Sequence, residues 1–323
     1  MTPLIQNSPD STLPDKERWF RRETSVEDAS ERTLISPQAL KQPTGRVIYW
    51  TVFALILVST LITLGPLYWM FSGALKSSIE IFQTPPTLWP LHPVWNNYVN
   101  AWNVLQIPLY FGNSLILAAG AVVLQILVSA TAAFALSKLH PAGKNIIQFS
   151  FFCTLMVPPV VYLIPQFVNI SDLPLIHVSL INSWAGVWLP EAASALNILI
   201  LKSFFDTIPT DLTDAARLDG ANALQLFTRI ILPLSRPALA VITIFTVIAS
   251  WKDFLWPLLV LSDSHLQPLI VAIYHASGIN SNFPLPFTYL IAGLVLASIP
   301  PIILFLLFQR QIIRGINLTG LKG

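Results

Sequence analysis

Charged residues are scarce in this sequence. They make up 11% of its 323 residues, whereas hydrophobic residues make up 54% and the mean hydropathy is +0.65. Soluble globular domains carry about 25% charged residues, which cover the surface that faces water. A chain with so few charges cannot cover a soluble surface of its size. We therefore predict that its main solvent is membrane lipid.

Cysteines and phosphate-binding glycine motifs are also missing. The single cysteine, Cys153, lies in an apolar run, which excludes an internal disulfide and a cysteine-based metal site. An ATP-binding P-loop requires glycine, four further residues and then Gly-Lys-Ser/Thr. The one Gly-Lys pair, Gly143-Lys144, is followed by Asn145, and Lys138 stands where the first glycine would be. We predict no catalytic residue, no metal site and no ATPase activity in this chain.

Six apolar segments are each long enough to cross a bilayer, which takes roughly 20 residues. They are 47–71, 113–136, 146–167, 182–204, 238–261 and 287–308. This pattern predicts an all-α membrane protein with six transmembrane helices. Pro158, Pro159 and Pro165 interrupt the third segment, so we expect that helix to be kinked and to line the protein interior.

The basic residues divide unequally between the two sides that six alternating spans would create. Sixteen Lys and Arg fall on one side and only Lys76 on the other. Basic residues favour the cytoplasmic side, so we predict cytoplasmic N- and C-termini in a multi-pass plasma (inner) membrane protein. We predict a disordered tail at 1–46, a membrane domain at 47–310 and a cytoplasmic tail at 311–323. The tail 1–46 is too charged for a signal peptide.

The polar segment 206–237 separates the fourth and fifth apolar segments. Pro209 prevents the fourth span from continuing, and Thr210 or Asp211 can cap a new helix. Asp214 and Arg217, three residues apart, can form a surface ion pair on that helix. This arrangement predicts a short amphipathic helix at the cytoplasmic surface.

Gly220 follows this helix where a turn with positive φ would end it. A second helix can begin near Asn222 and end at Pro233. Leu224, Phe227 and Ile231 are spaced to form one apolar stripe along it. The alanines at 215 and 216 give the first helix a small, smooth surface that could enter a cleft closely.

Polar groups inside or near the spans are candidates for a solute path. Intramembrane charges are costly unless they face water or protein. The candidates are Asn113, Ser114, Glu191, Trp251, Lys252 and Asp253. Two alternatives remain open: a packed, hydrogen-bonded role for the Glu191 carboxyl, and a position of Lys252 and Trp251 at the membrane interface.

The polar segment 206–237, which we call the hairpin, resembles the cytoplasmic signature of permease subunits in ABC-type importers. That signature reads Glu-Ala-Ala, three residues, Gly, nine residues and Ile-x-Leu-Pro. The matching positions are Asp214, Ala215, Ala216, Gly220, Ile230, Leu232 and Pro233. Aspartate replaces glutamate at the first position and keeps its charge.

The wider chain resembles the carbohydrate branch of this family, the maltose-type inner-membrane permeases, from about residue 50 onward. The similar segments are 113–115, 133–138, 204–205, 208–209, 232–239, 251–258 and 315–323. Lys252 stands where the family usually has asparagine. The tail 1–46 is longer than in most relatives.

The resemblance implies a membrane-spanning permease of a binding-protein-dependent importer that translocates a sugar or sugar-derived solute. It implies a second permease subunit, an extracytoplasmic solute-binding protein and two ATPase subunits that bind ATP and Mg²⁺, with no nucleic acid as partner. It also implies that the hairpin forms coupling helices that dock on the ATPase. The implied coupling residues are Asp214, Ala215, Ala216, Arg217, Asp219, Gly220, Ile230, Leu232 and Pro233.

Two other classes of protein remain as alternatives. An ion-gradient-driven transporter or channel would need intramembrane charged relays, and Glu191, Lys252 and Asp253 are nearly all that the spans offer. A non-transporting scaffold would not need the proline-broken third segment or the polar residues of the fifth.

Overall fold

This computed structural model describes residues 43–174, 176–278 and 285–320, and beyond residue 309 it describes the backbone only. All the regular secondary structure of these residues consists of helices. In chain order they are α1 (Pro43–Ala74), α2 (Asn96–Val104), α3 (Ile107–Phe134), α4 (Lys144–Met156), α5 (Pro159–Ser171), α6 (Trp184–Glu191), α7 (Ala195–Asp206), α8 (Thr210–Leu218), α9 (Ala223–Leu234), α10 (Arg236–Lys252), α11 (Leu255–Val260), α12 (Leu269–Ala276) and α13 (Phe287–Gly320). The predicted all-α class is confirmed.

The predicted tail boundaries can be compared with the helix bounds. Residues 1–42, most of the predicted N-terminal tail, lie outside the described residues. Helix α1 begins at Pro43, four residues before the predicted start of the first span. Helix α13 continues to Gly320, so the predicted boundary at 311 falls inside a helix.

The chain divides into two compact units, Met1–Leu67 and Tyr68–Gly323. In the first unit the described residues belong to α1, whose apolar sequence is interrupted near its end by Pro66. The second unit contains the rest of the helices and all three buried apolar clusters.

Three helices are individually long and apolar enough to cross a membrane. They are α1, α3 with its π-helical extension Ala135–Leu139, and the part of α13 from Phe287 to Gln309. Three bent pairs also qualify if each pair is counted as one span. Five of the six predicted segments therefore match one of these helices or pairs, whereas the fifth, 238–261, shares only α10 with the pair α9 and α10.

The third predicted segment is broken more sharply than its prolines suggested. Helices α4 and α5 meet at 106°, with Val157 and Pro158 in extended conformations between them. Pro165 lies inside α5. The expected kink is present, but the expected position is wrong: α4 buries none of its residues in this chain, and α5 buries only Ile170. Their apolar side chains face outward from the second unit.

The fourth and fifth predicted segments are also interrupted. Helices α6 and α7 meet at 49°, and the hydroxyl of Ser194 accepts a hydrogen bond from the Asn197 N–H at the start of α7. Helix α10 ends at Lys252, Asp253 is extended, and α11 follows. The prediction that Lys252 and Asp253 lie within a continuous span is therefore wrong, because both lie at a helix break.

A polar cluster joins α3, α7 and α10, which pack along one another. The Gln125 Oε1 accepts hydrogen bonds from the Asn197 Nδ2 at 2.6 Å and from the Thr246 hydroxyl at 2.8 Å. All three side chains are buried. Since each helix contributes one member, we infer that this cluster fixes the register of the three helices in an otherwise apolar interior.

Candidate functional site

The first hairpin helix, α8, begins directly after Pro209. Thr210 is its first residue, and Pro209 supplies no side-chain cap. The prediction that Thr210 or Asp211 caps this helix is therefore wrong, because neither residue precedes it. Asp211 lies in the first turn, where the helix dipole favours negative charge. The predicted ion pair forms, with 3.3 Å between Asp214 Oδ1 and an Arg217 guanidinium nitrogen.

Gly220 ends this helix in the conformation that the sequence predicts. Its φ is 82°, in the left-handed region that favours glycine. The Ala221 N–H donates to the Ala216 carbonyl at 2.9 Å, and the Gly220 N–H donates to the Arg217 carbonyl at 3.0 Å. These two bonds satisfy the carbonyl groups that the end of a helix leaves free. The turn is therefore well defined.

The second hairpin helix, α9, starts as predicted but does not follow a regular α-helical period. Asn222 and Gln225 form a reciprocal capping box at its start. A π-helical stretch, Leu226–Ile231, follows. Its i→i+5 hydrogen bonds make each turn longer, so the predicted stripe is wrong: Leu224 is 69% exposed and Ile231 is fully buried.

Pro233 does not end this helix. It is the last residue but one of α9, which ends at Leu234. The break comes at Ser235, and α9 and α10 meet there at 77°. The second hairpin helix therefore ends one residue after the predicted Pro233.

The signature residues divide between an inner and an outer face. Asp214, Ala215, Arg217, Asp219, Gly220 and Pro233 are exposed, whereas Ile230 and Leu232 are partly buried. Ala216 is buried in the apolar cluster formed by α3, α7 and the hairpin. The expectation that both alanines form an outer surface is therefore wrong, since only Ala215 faces outward.

Exposed leucines also occur in the hairpin, and the sequence analysis did not single them out as a group. Leu212 is 47% exposed, Leu218 89% and Leu224 69%. They are separated along the chain and fall on two helices, so no periodic pattern within one helix reveals them.

Lys138 anchors the hairpin to the end of α3, which sequence reasoning also missed. Its buried ammonium donates to the Ile208 carbonyl at 2.9 Å, and its own carbonyl accepts from the Arg217 guanidinium at 3.3 Å. Beside it, the Ser137 hydroxyl donates to Asp206 at 2.7 Å. The partners are about 70 residues apart in sequence, and a contact at that separation leaves no local signal.

The predicted solute-path residues at the start of α3 form internal hydrogen bonds. The buried Asn113 Nδ2 donates to the carbonyls of His265 and Gln267 at 2.8 and 2.9 Å. The Ser114 hydroxyl accepts from the Leu269 N–H at 2.9 Å. These two residues therefore attach the segment 265–269 to α3.

The other predicted path residues lie at helix ends. Trp251 is buried: its Nε1 donates to the Ala297 carbonyl at 3.0 Å, and its ring packs edge-on against Phe111. Lys252 and Glu191 are exposed at the ends of α10 and α6. Asp253 directly follows Lys252 and is partly buried.

A protein-family comparison matches residues 125–318, which include the entire hairpin. The matching family is described as the binding-protein-dependent transport system inner membrane component. The chain belongs to this family. It is therefore a multi-pass membrane permease and not an enzyme, and the alternatives of an ion-gradient-driven transporter or channel and of a scaffold are excluded.

Individual relatives of this permease are similar over most of their length. The sn-glycerol-3-phosphate transport system permease protein UgpE of Yersinia pestis is 33% identical over 268 residues, covering 81% of this chain and 93% of the relative. The protein of the same name from Salmonella typhi is 33% identical over 276 residues, with coverages of 82% and 95%.

Two solved structures share the fold of the permease. One is a chain of a bacterial ABC transporter involved in the import of the acidic polysaccharide alginate. It has a TM-score of 0.73 and 25% identity, covering 83% of this chain and 98% of the other. A chain of the alginate transporter in complex with a pentasaccharide-bound periplasmic protein has a TM-score of 0.55 and 16% identity, covering 81% and 95%.

Proposed function

We propose that this permease moves a sugar or sugar-derived solute into the cytoplasm on the energy of ATP hydrolysed by two separate ATPase subunits. Those subunits would bind ATP and Mg²⁺, and a second permease would complete the membrane part. The names of the relatives support a hydroxylated solute, since they describe transport of sn-glycerol-3-phosphate and of alginate. Nucleotide would act by binding two conformations of the assembly with different affinity.

The hairpin is the observation that carries this proposal. Its first helix buries Ala216 in the apolar cluster and exposes Ala215, Leu212 and Leu218, and Leu224 is exposed on the second helix. Exposed apolar groups on a polar surface mark a site of protein association. We infer that the ATPase contacts this outer face, and that the inner face passes the movement to α3 and α7.

The basic residues support an orientation with the hairpin and both termini in the cytoplasm. Sixteen Lys and Arg are predicted on the hairpin side, against Lys76 alone on the other. The solute-binding protein would then dock at the opposite end. The related alginate transporter forms a complex with a periplasmic protein that carries its pentasaccharide, which supports such a partner.

We further propose that Glu191, Lys252 and Asp253 line the solute path, since they lie at breaks between helices where backbone and side chains can meet water. Asn113, Ser114 and Trp251 would hold the neighbouring backbone in position and would not contact the solute. Their polar groups are occupied by hydrogen bonds within the chain.

A crosslinking experiment tests the docking. In a Cys153→Ala background, cysteines are introduced singly at exposed Ala215 and at buried Ala216, together with a cysteine scan of the groove of the partner ATPase. Ala215→Cys should crosslink in the assembled transporter and Ala216→Cys should not, because only the first is accessible. Equal crosslinking at both positions, or none at either, would contradict the assigned faces.

Reconstitution tests the energy source separately. Proteoliposomes containing the permease, its partner permease and the solute-binding protein should take up solute only when the ATPase and ATP are both present. Uptake by the membrane subunits alone would show that ATP hydrolysis is not required, and the proposed function would then be wrong.

A further inference from the structure

The segment between α1 and α3, residues 75–106, exposes large apolar side chains at the end of the fold opposite the hairpin. We call it the aromatic link. Its exposed residues include a group that is 47% to 87% exposed: Ile79, Phe82, Leu88, Trp89, Trp95 and Trp102. Single exposed apolar residues are ordinary on a folded protein, so their arrangement decides what they indicate.

The aromatic link, all of whose residues the structure describes, exposes no Lys, Arg, Asp or Glu. Its two charged residues, Lys76 and Glu80, are 1% and 7% exposed. The Lys76 ammonium donates to the Thr87 carbonyl and lies 4.4 Å from the centre of the Trp69 ring. The Glu80 Oε1 accepts from the Leu91 N–H at 2.8 Å. Burying a charge is costly, and a link that faced water would present its charges outward. The surroundings of this link are therefore less polar than water.

Helix α2, the regular part of the aromatic link, has one face in the protein and an apolar face outside. Asn97 and Ala101 are buried one turn apart on the inner face. Trp95, Val99 and Trp102 follow one another at i, i+4 and i+7, which places them on one side of the helix, and they are 47% to 68% exposed. A helix that faces water carries polar residues on that side. The outer face of α2 is instead suited to contact with lipid.

The indole N–H groups distinguish the tryptophans of the link from those inside the protein. Each tryptophan that is buried or half-buried in the helical interior donates its Nε1 to a backbone carbonyl at 2.9 to 3.3 Å; these are Trp184, Trp188, Trp251 and Trp256. No described residue accepts from the indole N–H of Trp89, Trp95 or Trp102. A protein that covered these rings would have to supply an acceptor for each. The headgroup layer of a bilayer supplies such acceptors from lipid oxygens and water, and tryptophan is enriched there.

Contacts with α13 place the aromatic link at the level where the spanning helices end. The centre of the Phe82 ring lies 5.6 Å from that of Phe287, the first residue of α13. The Asn100 Nδ2 donates to the Tyr289 hydroxyl at 2.8 Å, within the first turn of the same helix. The ends of apolar spanning helices mark the level at which the hydrocarbon core gives way to headgroups.

A groove with a volume of about 330 Å³ lies between the last turns of α1 and the aromatic link. Its aromatic lining consists of Tyr68, Phe71, Trp89, Trp95 and Tyr98. The hydroxyls of Tyr68 and Ser72 are occupied, since both donate to the Leu88 carbonyl, at 2.9 and 2.7 Å. No Lys, Arg, Asp or Glu is among the described residues that line the groove. It therefore presents mainly rings and aliphatic groups, which suit a hydrocarbon chain.

We propose that the aromatic link lies in the headgroup layer of the bilayer opposite the hairpin, and that its groove holds an acyl chain of a membrane phospholipid. A solute-binding protein would dock on that side only transiently, and between these events an uncharged surface rich in tryptophan would face water. Lipid is present throughout the transport cycle. This inference needs only a membrane-embedded permease, so it stands or falls independently of the proposed solute and energy source.

Quenching by labelled lipids tests the position of the link. In a Cys153→Ala background, a fluorophore is attached to Trp102→Cys in the assembled transporter, which is reconstituted in phospholipid vesicles. Phospholipids with a nitroxide near the headgroup should quench it more strongly than phospholipids with a nitroxide at the end of the acyl chain, and dissolved iodide should quench it weakly. His265→Cys is the matched control, because His265 is an exposed residue of the segment that Asn113 binds to the start of α3. Iodide should quench the control more strongly than either lipid does.

Three results would overturn the proposal. Quenching of the Trp102→Cys label by iodide alone would place the link in water. Protection from both iodide and lipid in the assembled transporter would show that the second permease covers it. Protection from lipid that appears only after a solute-binding protein is added would make the link a docking surface for that protein.

A photoactivatable phospholipid tests the groove itself. With the reactive group on the acyl chain, crosslinks should form in the peptide 89–98. Trp89→Ser removes one wall of the groove and should lower this yield several-fold. Trp89 is 72% exposed, so its loss should change folding stability little. Trp102→Ser is the matched control, because Trp102 does not line the groove, and its yield should equal that of the parent. An unchanged yield in Trp89→Ser, or an equal loss in both variants, would show that the groove does not hold the chain.

Discussion

The Lys138 ammonium donates a hydrogen bond to the Ile208 carbonyl at 2.9 Å, and the end of α3 thereby holds the entry to the hairpin. The carbonyl of Lys138 also accepts from Arg217, near the other end of α8. One residue thus contacts both ends of the first hairpin helix. These two contacts support the proposal that a displacement of α8 is passed to α3.

Replacing Lys138 by methionine should weaken this coupling. Lys138→Met keeps the apolar stem but leaves the Ile208 carbonyl without its charged donor, which costs roughly 1.5–3 kcal/mol. We expect ATP hydrolysis to continue in the assembled transporter while solute uptake per ATP falls. Hydrogen exchange at 206–220 should increase. Uptake and hydrolysis are measured together in proteoliposomes.

Lys202→Met is the matched control for that variant. Lys202 forms a 2.6 Å ion pair with Asp206 one turn away, and Asp206 remains bound by the Ser137 hydroxyl after its loss. Pairs of this spacing contribute only about 0.3–0.5 kcal/mol. If Lys202→Met uncouples the transporter as strongly as Lys138→Met, the anchor does not have the role assigned to it.

Gly220→Val should strain the turn between the hairpin helices. The φ of 82° costs a residue with a side chain about 1–2 kcal/mol, and a β-branched residue more. A Cβ at this position meets no other atom within 4 Å, so the effect is purely conformational. Uptake should fall several-fold, while Gly220→Asn, which tolerates the left-handed region, should stay closer to the parent. Equal uptake by the two variants would show that the positive φ at Gly220 is not the cause of the loss.

Leu218→Asp should impair ATPase binding without unfolding the permease. Leu218 is 89% exposed, so its replacement should change folding stability by no more than about 0.5 kcal/mol. A central interface residue contributes about 2 kcal/mol or more to binding, which is roughly 30-fold in affinity. Copurification of the ATPase measures this loss. Leu91→Asp, at an exposed leucine outside the hairpin, should leave copurification unchanged.

Local chemistry explains what could be predicted from the sequence. The Gly220 turn, the Asn222 helix start and the Asp214–Arg217 pair each depend on residues within one helical turn, and the structure confirms all three. The six apolar segments could also be located, because hydropathy is a property of contiguous residues. Hydropathy could not predict the breaks within these segments, because an apolar run continues across the point where one helix ends and the next begins.

Non-local contacts explain what could not be predicted. The π-helical stretch Leu226–Ile231 shifts the buried face, so the stripe expected from a regular period fails. The sequence around Lys138 is typical of a polar link at the membrane interface. It does not indicate that Ile208, 70 residues away, is the hydrogen-bond partner of Lys138. Sequence spacing alone also could not place Ala216 in the apolar cluster and Ala215 outside it.

The buried cluster of α3, α7 and α10 should stabilise the permease unequally through its members. Gln125 accepts from both partners, so Gln125→Leu leaves the Asn197 amide and the Thr246 hydroxyl without this acceptor. Thr246→Val removes one bond to Gln125 at 2.8 Å and a longer bond from the Asn197 amide at 3.4 Å. Polar bonds inside membranes contribute on average about 0.6 kcal/mol and at most about 1.7. We expect Gln125→Leu to lower the melting temperature of the purified transporter more than Thr246→Val does; the reverse order would contradict this arrangement.

The link between α1 and α2 contains a buried carboxylate that should make its folding sensitive to acid. Burial disfavours the charged form of Glu80, but its Oε1 accepts from the Leu91 N–H at 2.8 Å and from the Thr87 hydroxyl at 2.9 Å. The nearby Lys76 ammonium also favours the carboxylate, and the pKa of Glu80 lies below its ordinary value of 4.5. These hydrogen bonds therefore hold the ionised form.

A lowered pKa in the folded state stabilises the link above the pKa of the unfolded chain, and this stabilisation is lost as the pH falls through the folded value. Hydrogen exchange at 76–94 should therefore increase as the pH is lowered below about 4.5. Glu80→Gln keeps the side-chain shape but cannot ionise, so exchange in this variant should be faster at neutral pH and should respond less to acid. If both proteins show the same acid response, another group controls it, since Glu80 is the ionisable acceptor that binds the Leu91 N–H.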